Sequence, residues 1–249
     1  MELDHQVAIV TGGGSGLGRA MALRLAAEGV SVLISEVRED VGANTESEIN
    51  EAGGRAALFT GDVSDEAVAE KLIEFCLETF GRLDILINNA GIRMEFREND
   101  EFEDWRCLPR RPTHEVSVDD WDLVLRVNLR AAYLCTHYAL PHMIEQGSGV
   151  VIGVSSDAGS KPAVGKCAYV ASKFGLEGLM KTVAEEMREH GISANAIYPG
   201  GRADVDGRGG LDPDVMTPLV MHLCRQNGVE ITGQSITARE WNQSPGSVE

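Results

Sequence analysis

Nowhere in its 249 residues does the chain carry 18 consecutive apolar residues, so no segment reads as a membrane span. Cysteine is sparse. Cys76, Cys107, Cys135, Cys167 and Cys224 make an odd set with no C-x-x-C pair, which excludes a disulfide scaffold and fits reduced thiols in a cytoplasmic protein. Basic residues are short as well. The 22 Lys and Arg stand against 39 Asp and Glu, a net charge of −17. Such a surface repels polyphosphate backbones and anionic lipid heads, so neither nucleic acid nor a membrane surface is expected as a partner. Met1 to Gln6 are polar and lead straight into a strand-like run, so no signal peptide is expected. His137 and His142 are five apart, out of phase for one helix face, and no Cys or acid cluster completes a ligand set, so no metal is expected.

What remains is a folding composition: 43% hydrophobic residues, 24% charged and 28 glycines. Short β-branched runs alternate with longer helical patterns. Strands are expected at 7–10, 30–34, 56–60, 83–87, 149–154, 193–198 and 236–238. Helical stripes follow at 19–27, 64–80 and 169–190, and Ser117 with Asp120 suggests a capped start for a helix carrying Trp121, Leu125 and Leu129. The alternation predicts an α/β fold: a doubly wound parallel sheet of about seven strands with helices on both faces. No repeat or linker divides the chain, so residues 1–249 read as one domain. Residues 93–117 and 200–213 break the rhythm and are expected to be surface loops.

Thr11-Gly12-Gly13-Gly14-Ser15-Gly16-Leu17-Gly18 sits between the first strand and the first helix. Glycines there let the backbone approach a ligand closely, and the helix N-terminus offers unpaired N–H groups to a pyrophosphate. Its spacing is neither G-x-G-x-x-G nor a P-loop. Glu36 closes the second strand. A carboxylate there accepts hydrogen bonds from both adenosine ribose hydroxyls and repels a 2′-phosphate, so NAD is expected over NADP, with Arg38 nearby as a counter-indication. Tyr169 and Lys173 lie one helical turn apart. An ammonium beside a phenol favours phenolate and moves Tyr169 toward a useful acid–base range. Ser156, at the end of the fifth strand, stands where a doubly wound sheet binds ligands.

In that order, these pieces resemble the short-chain dehydrogenase/reductase family along nearly the whole chain. The resemblance assigns cofactor binding to Gly12, Ser15, Gly16, Leu17, Gly18, Glu36, the adenine-side pair Asp62-Val63, and Asn89, Ala90 and Gly91 of an NNAG motif. It adds Tyr169, Lys173 and the Pro199-Gly200 turn. It makes Asn128, Ser156, Tyr169 and Lys173 the catalytic set, with Ser155 as a neighbouring decoy. Tyr169 would be the general acid/base, Lys173 would lower its pKa, Ser156 would hold the substrate oxygen, and Asn128 would support a water relay. The implied activity is NAD-dependent interconversion of a secondary alcohol and its ketone. The alternative is a dinucleotide-sensing regulator without turnover. The resemblance also implies homodimers or homotetramers paired through the helices near 118–143 and 169–190.

Three departures stand out. About a dozen extra residues separate Gly91 from Asn128, including Arg93, Arg97, Phe102, Trp105, Arg110 and Arg111. The segment after Gly200 is short, with Asp204 where the family usually has Thr. The tail reads Ala238-Arg239-Glu240-Trp241-Asn242 instead of a Gly-rich turn. One expectation joins the first two: the 93–117 insertion replaces the missing lid, and Arg93, Arg97 and Arg202 meet an anionic substrate. The competing expectation is a solvated loop whose arginines pair with its own acids.

Overall fold

A computed structural model describes residues 3–95, 107–204, 209–226 and 228–245. Seven strands form one sheet: β1 (Val7–Thr11), β2 (Ser31–Glu36), β3 (Arg55–Thr60), β4 (Ile85–Asn88), β7 (Gly149–Val154), β8 (Ile192–Tyr198) and β9 (Ser235–Thr237). Their order is β3-β2-β1-β4-β7-β8-β9, and every neighbouring pair is parallel. The expected doubly wound sheet is therefore present, strand for strand.

The strand sequences explain why both faces are covered. Alternate side chains point to opposite faces. Ala8, Val10, Ile85 and Ile87 join one core with Met21 and Leu25 of α1 (Gly16–Ala27), Ile49 of α2 (Glu39–Glu51), Leu219 and Leu223 of α7 (Thr217–Arg225), and Trp241 of α8 (Ala238–Gln243). Val7, Ile9 and Leu86 join the other core with Leu72 and Ile73 of α3 (Glu66–Phe80), Leu134 and Met143 of α5 (Ala131–Gln146), and Leu176 and Met180 of α6 (Cys167–Met187). Each fully buried Leu or Ile contributes roughly 1.5–3 kcal/mol. Caps set the helix limits. Asp65 accepts from the Ala67 and Val68 N–H groups at the start of α3, and Gly81 at φ 81° ends it. Ser117 accepts from the Asp120 N–H before α4 (Val118–Leu125), as its position suggested.

The insertion is more structured than a surface loop. Its described ends form a two-stranded parallel sheet, β5 (Arg93–Glu95) with β6 (Cys107–Pro109). Met94 and Cys107 are buried. With Ile92, Val124 and Ala168, Met94 forms a third apolar cluster over the first turn of α6, and Leu108 and the Tyr169 ring pack against it. Arg97, Phe102 and Trp105 lie outside the described residues. In the 200–213 segment, Ala203 bridges Leu211, and the Asp204 N–H donates to the Leu211 carbonyl. No helix among the described residues is long and apolar enough to cross a membrane.

Candidate active site

The strand order reverses direction at β1. Its chain neighbour β2 lies on one side and β4 on the other, which opens a crevice beyond their C-terminal ends. A cleft of ≈ 910 Å³ occupies that crevice. At one end it is lined by Gly12, Ser15, Gly16, Leu17, Glu36, Asp62, Val63, Asn89, Ala90 and Gly91; Ser156, Tyr169, Lys173 and Pro199 line the other end. Gly18, Asn128 and Gly200, expected at the site, do not line it.

The Gly-rich turn is clasped to the end of β4. The Thr11 hydroxyl accepts from the Asn89 and Ala90 N–H groups at 2.9 and 3.0 Å. The Asn89 amide donates to the Thr11 and Gly12 carbonyls at 2.9 and 3.2 Å. This explains Gly18, which lies behind the cleft wall. A Cβ there would come within 2.2 Å of the Gly12 carbonyl oxygen and 2.5 Å of the Asn89 amide nitrogen. Gly12 itself sits at φ 63°, in the left-handed region. The bare turn before the α1 N-terminus fits a pyrophosphate. Glu36 is buried at the end of β2, and its Oε1 accepts from the Val37 and Arg38 N–H groups at 3.0 and 3.4 Å. The Arg38 Nε is buried without a hydrogen-bond partner.

Asn128 occupies a π-helical turn, Arg126–Arg130, between α4 and α5. It is buried and bonds locally. Its Oδ1 accepts from the Ile92 N–H at 2.8 Å, and its Nδ2 donates to the Ile92 carbonyl and the Ser172 hydroxyl at 3.0 and 3.2 Å. Ser172 in turn donates to the Tyr169 carbonyl at 2.7 Å. Asn128 thus ties the strand-end segment after β4 to the helix that carries Tyr169.

Ser156 and Tyr169 line the same end of the cleft, with the Ser156 hydroxyl near enough to act on the phenol. Ser156 Oγ accepts from the Ala158 N–H at 3.3 Å, which holds the turn after β7. Burial pushes the Tyr169 phenol above its ordinary value, while Ser156 and Arg93 pull it down and Glu95 and Asp157 push it up. The net direction is opposite to the expected lowering. Tyr169 is protonated at neutral pH and presents an O–H donor to the cleft. Lys173 is only 5% exposed. Its Nζ donates to the Val154 carbonyl at 2.7 Å and lies 5.7 Å from the Tyr169 ring centroid. Burial lowers its pKa to about 8, and Glu177 resists that fall.

Glu177 was not singled out from sequence. One turn beyond Lys173 and 6% exposed, it accepts from the Ser155 hydroxyl at 2.9 Å and the Ser235 hydroxyl at 2.8 Å. Ser155 is therefore more than a decoy, because its hydroxyl turns to Glu177 and satisfies the carboxylate behind Lys173. The available signal was a Glu four residues after the Lys on an otherwise apolar helix face. Lys166 was also missed. It lines the cleft with its Nζ 5.4 Å from the Tyr169 ring centroid.

Comparison with known proteins agrees with this fold. The family model described as short chain dehydrogenase matches residues 6–208. An uncharacterized oxidoreductase of Thermotoga maritima is 37% identical over 200 residues, 80% of this chain and 73% of the relative. Cyclohexanol dehydrogenase of an Acinetobacter species is 34% identical over 199 residues, 80% of this chain and 74% of the relative. The crystal structure of a metagenomic short-chain oxidoreductase in complex with NADP matches with a TM-score of 0.80 at 31% identity, covering 95% of this chain and 97% of that one.

Proposed function

This chain belongs to the short chain dehydrogenase family, and from that premise we propose that it is an NAD-dependent oxidoreductase that interconverts a secondary alcohol and its ketone. The observation that carries the reading is the hydroxyl pair of Tyr169 and Ser156 at the cleft, backed by the Lys173 ammonium.

Gly12, Ser15, Gly16 and Leu17 would hold the pyrophosphate, and Asp62, Val63 and Ala90 the adenine side. Glu36 supports NAD. Its carboxylate stands where a 2′-phosphate would be repelled. The orphaned Arg38 Nε and the NADP bound to the solved relative pull the other way, so cofactor choice is part of the test. When bound, the nicotinamide supplies or accepts the hydride. The protein's own residues handle the oxygen and its proton. Ser156 holds the substrate oxygen beside the phenol. In reduction, the protonated Tyr169 donates its O–H proton to the oxygen that becomes the alcohol. In oxidation the same phenol must accept a proton, and the charged Lys173 stabilises the phenolate that precedes it. Asn128 holds the Ile92 backbone and Ser172, and so fixes the Tyr169 turn of α6 against β4.

The five free cysteines support a reducing compartment such as the cytoplasm. A homo-oligomer is supported by two half-exposed aromatics, Tyr133 on α5 and Phe174 on α6.

The test is NADH formation at 340 nm with NAD or NADP and a panel of secondary alcohols. Tyr169→Phe is expected to lose about 10²–10⁴-fold in kcat with NAD binding retained. A variant that turns over at the wild-type rate overturns the assignment. A higher kcat/KM with NADP overturns the cofactor preference. Binding of NAD without turnover of any alcohol or ketone would leave the sensing regulator as the better reading.

A further inference from the structure

We propose that the substrate end of the cleft is an anion subsite centred on Lys166, and that the substrate is a hydroxy or oxo acid whose carboxylate lies a few bonds from the reacting carbon. This rests on the oxidoreductase reading above.

The first observation is the state of the Lys166 ammonium. It is partly buried in the cleft wall, and among the described residues it makes neither an ion pair nor a hydrogen bond. It lies over the Tyr169 ring, 5.4 Å from the centroid. Burial and the neighbouring Arg110 lower its pKa, and Arg93 adds to this; Glu95 and Cys107 oppose them. A cation held there without a counter-ion is costly, and an anion placed against it recovers Coulomb energy strengthened by the poorly solvated wall.

The second observation is the distribution of charge along the cleft. The molecule carries a net charge of −17, and the adenosine end of the cleft keeps to that sign with Glu36 and Asp62. At the Tyr169 end the Lys166 ammonium stands against that sign. Arg93, Arg110, Lys166 and Arg202 line the described wall there, with Glu95 and Asp157 as the described acids. Glu95 is itself engaged by Arg93 at 3.5 Å. The same wall thus meets the reacting oxygen with hydroxyls and offers the Lys166 ammonium beside them.

The third observation is how Lys166 is held. Its backbone begins α6, the Arg111 N–H donates to the Gly165 carbonyl beside it, and the Arg110 N–H donates to the Glu95 carbonyl. β5, β6 and the start of α6 are therefore joined by backbone hydrogen bonds, which set Lys166 against the described ends of the insertion. A carboxylate bound there stands at a fixed distance from Tyr169, so chain length is read as well as charge.

The experiment uses the full chain with saturating NAD. Straight-chain 3-hydroxy and 4-hydroxy acids are compared with their methyl esters, in wild type and in Lys166→Gln. The expected result is a higher kcat/KM for one acid than for its ester. Lys166→Gln is expected to shrink that acid-to-ester ratio about tenfold or more, through KM rather than kcat, as loss of a charge-assisted hydrogen bond does. Preference for the esters in wild type overturns the proposal. So does an equal loss on acid and ester, which would make Lys166 a cation that acts only on the Tyr169 ring. A binding arm does not need turnover. Calorimetric titration of the protein with NADH is made with butanoate and with butanamide. Butanoate binding that Lys166→Gln weakens supports the subsite even if the oxidoreductase reading fails, and absence of butanoate binding to wild type overturns it.

Discussion

Glu177 receives hydroxyl hydrogens from Ser155 at the end of β7 and Ser235 on β9, and it faces Lys173 from one turn away on α6. The two hydroxyl donors satisfy the buried carboxylate, and Glu177 opposes the fall that burial imposes on the Lys173 pKa. Lys173 loses its proton as pH rises through about 8, below the ordinary 10.5. The unfolded chain thus binds more protons than the folded one between about 8 and 10.5, and the Lys173 contribution to stability rises with pH across that window. Activity runs the other way, because the neutral amine no longer supports phenolate. Glu177→Gln is expected to move the high-pH limb of kcat/KM to lower pH, read from a full pH–rate profile. A profile that only falls in height would assign Glu177 to folding alone. The other charges around the pair, Arg93, Glu95, Asp157 and Lys166, face Tyr169 and are unchanged in that variant. Tyr169, Lys173 and Ser156 were legible because their spacing is tied to a helix turn and a strand end. Glu177 and Lys166 were not, because a Glu or Lys on a helix is usually solvent-facing and only packing reveals otherwise.

Among the elements, the Gly-rich turn is the most constrained. Gly18→Ala drives a methyl group into the Gly12 carbonyl, a rigid backbone atom. Overpacking of this kind costs about 1–3 kcal/mol, which for a chain of this size is roughly 2–4 °C of Tm per kcal/mol. A Tm lower by several degrees with weakened NAD binding is expected, measured by thermal shift with and without cofactor. Asp65→Ala gives the contrast. It removes the cap of α3, a cost of about 1 kcal/mol, and turnover is expected to stay at the wild-type level. The seven strands were legible because each is a short β-branched run bounded by glycine or charge. Three helices were not: α2, α7 and the six-residue α8. α2 buries only Gly42, Thr45 and Ile49, too small and polar a face to print a stripe. α7 has a polar face of Pro218, His222 and Arg225, but its nine residues follow the irregular 200–213 segment and are too few turns to print a long stripe. β5 and β6 were missed because three-residue strands leave no pattern, and their pairing is set by the Met94 cluster rather than by alternation.

For the molecule as a whole, the free faces of α5 and α6 carry Tyr133 at 48% and Phe174 at 47% exposure. Aromatic rings half in solvent on adjacent helices suit a self-complementary interface, where a two-fold axis sets each patch against its copy. Light scattering after size exclusion is expected to give a dimer or tetramer, with Phe174→Glu shifted to a smaller species. An unchanged mass for that variant would move the interface elsewhere. The bond from Ser235 to Glu177 has a consequence in time. Synthesis delivers the Gly-rich turn early and Ser235 only after β8 has been made. A chain stopped or clipped before β9 loses Ile236, Ala238 and Trp241 from the first core and leaves one oxygen of the Glu177 carboxylate without its hydrogen. The surroundings of Lys173 are thus completed only when the last strand has joined the sheet.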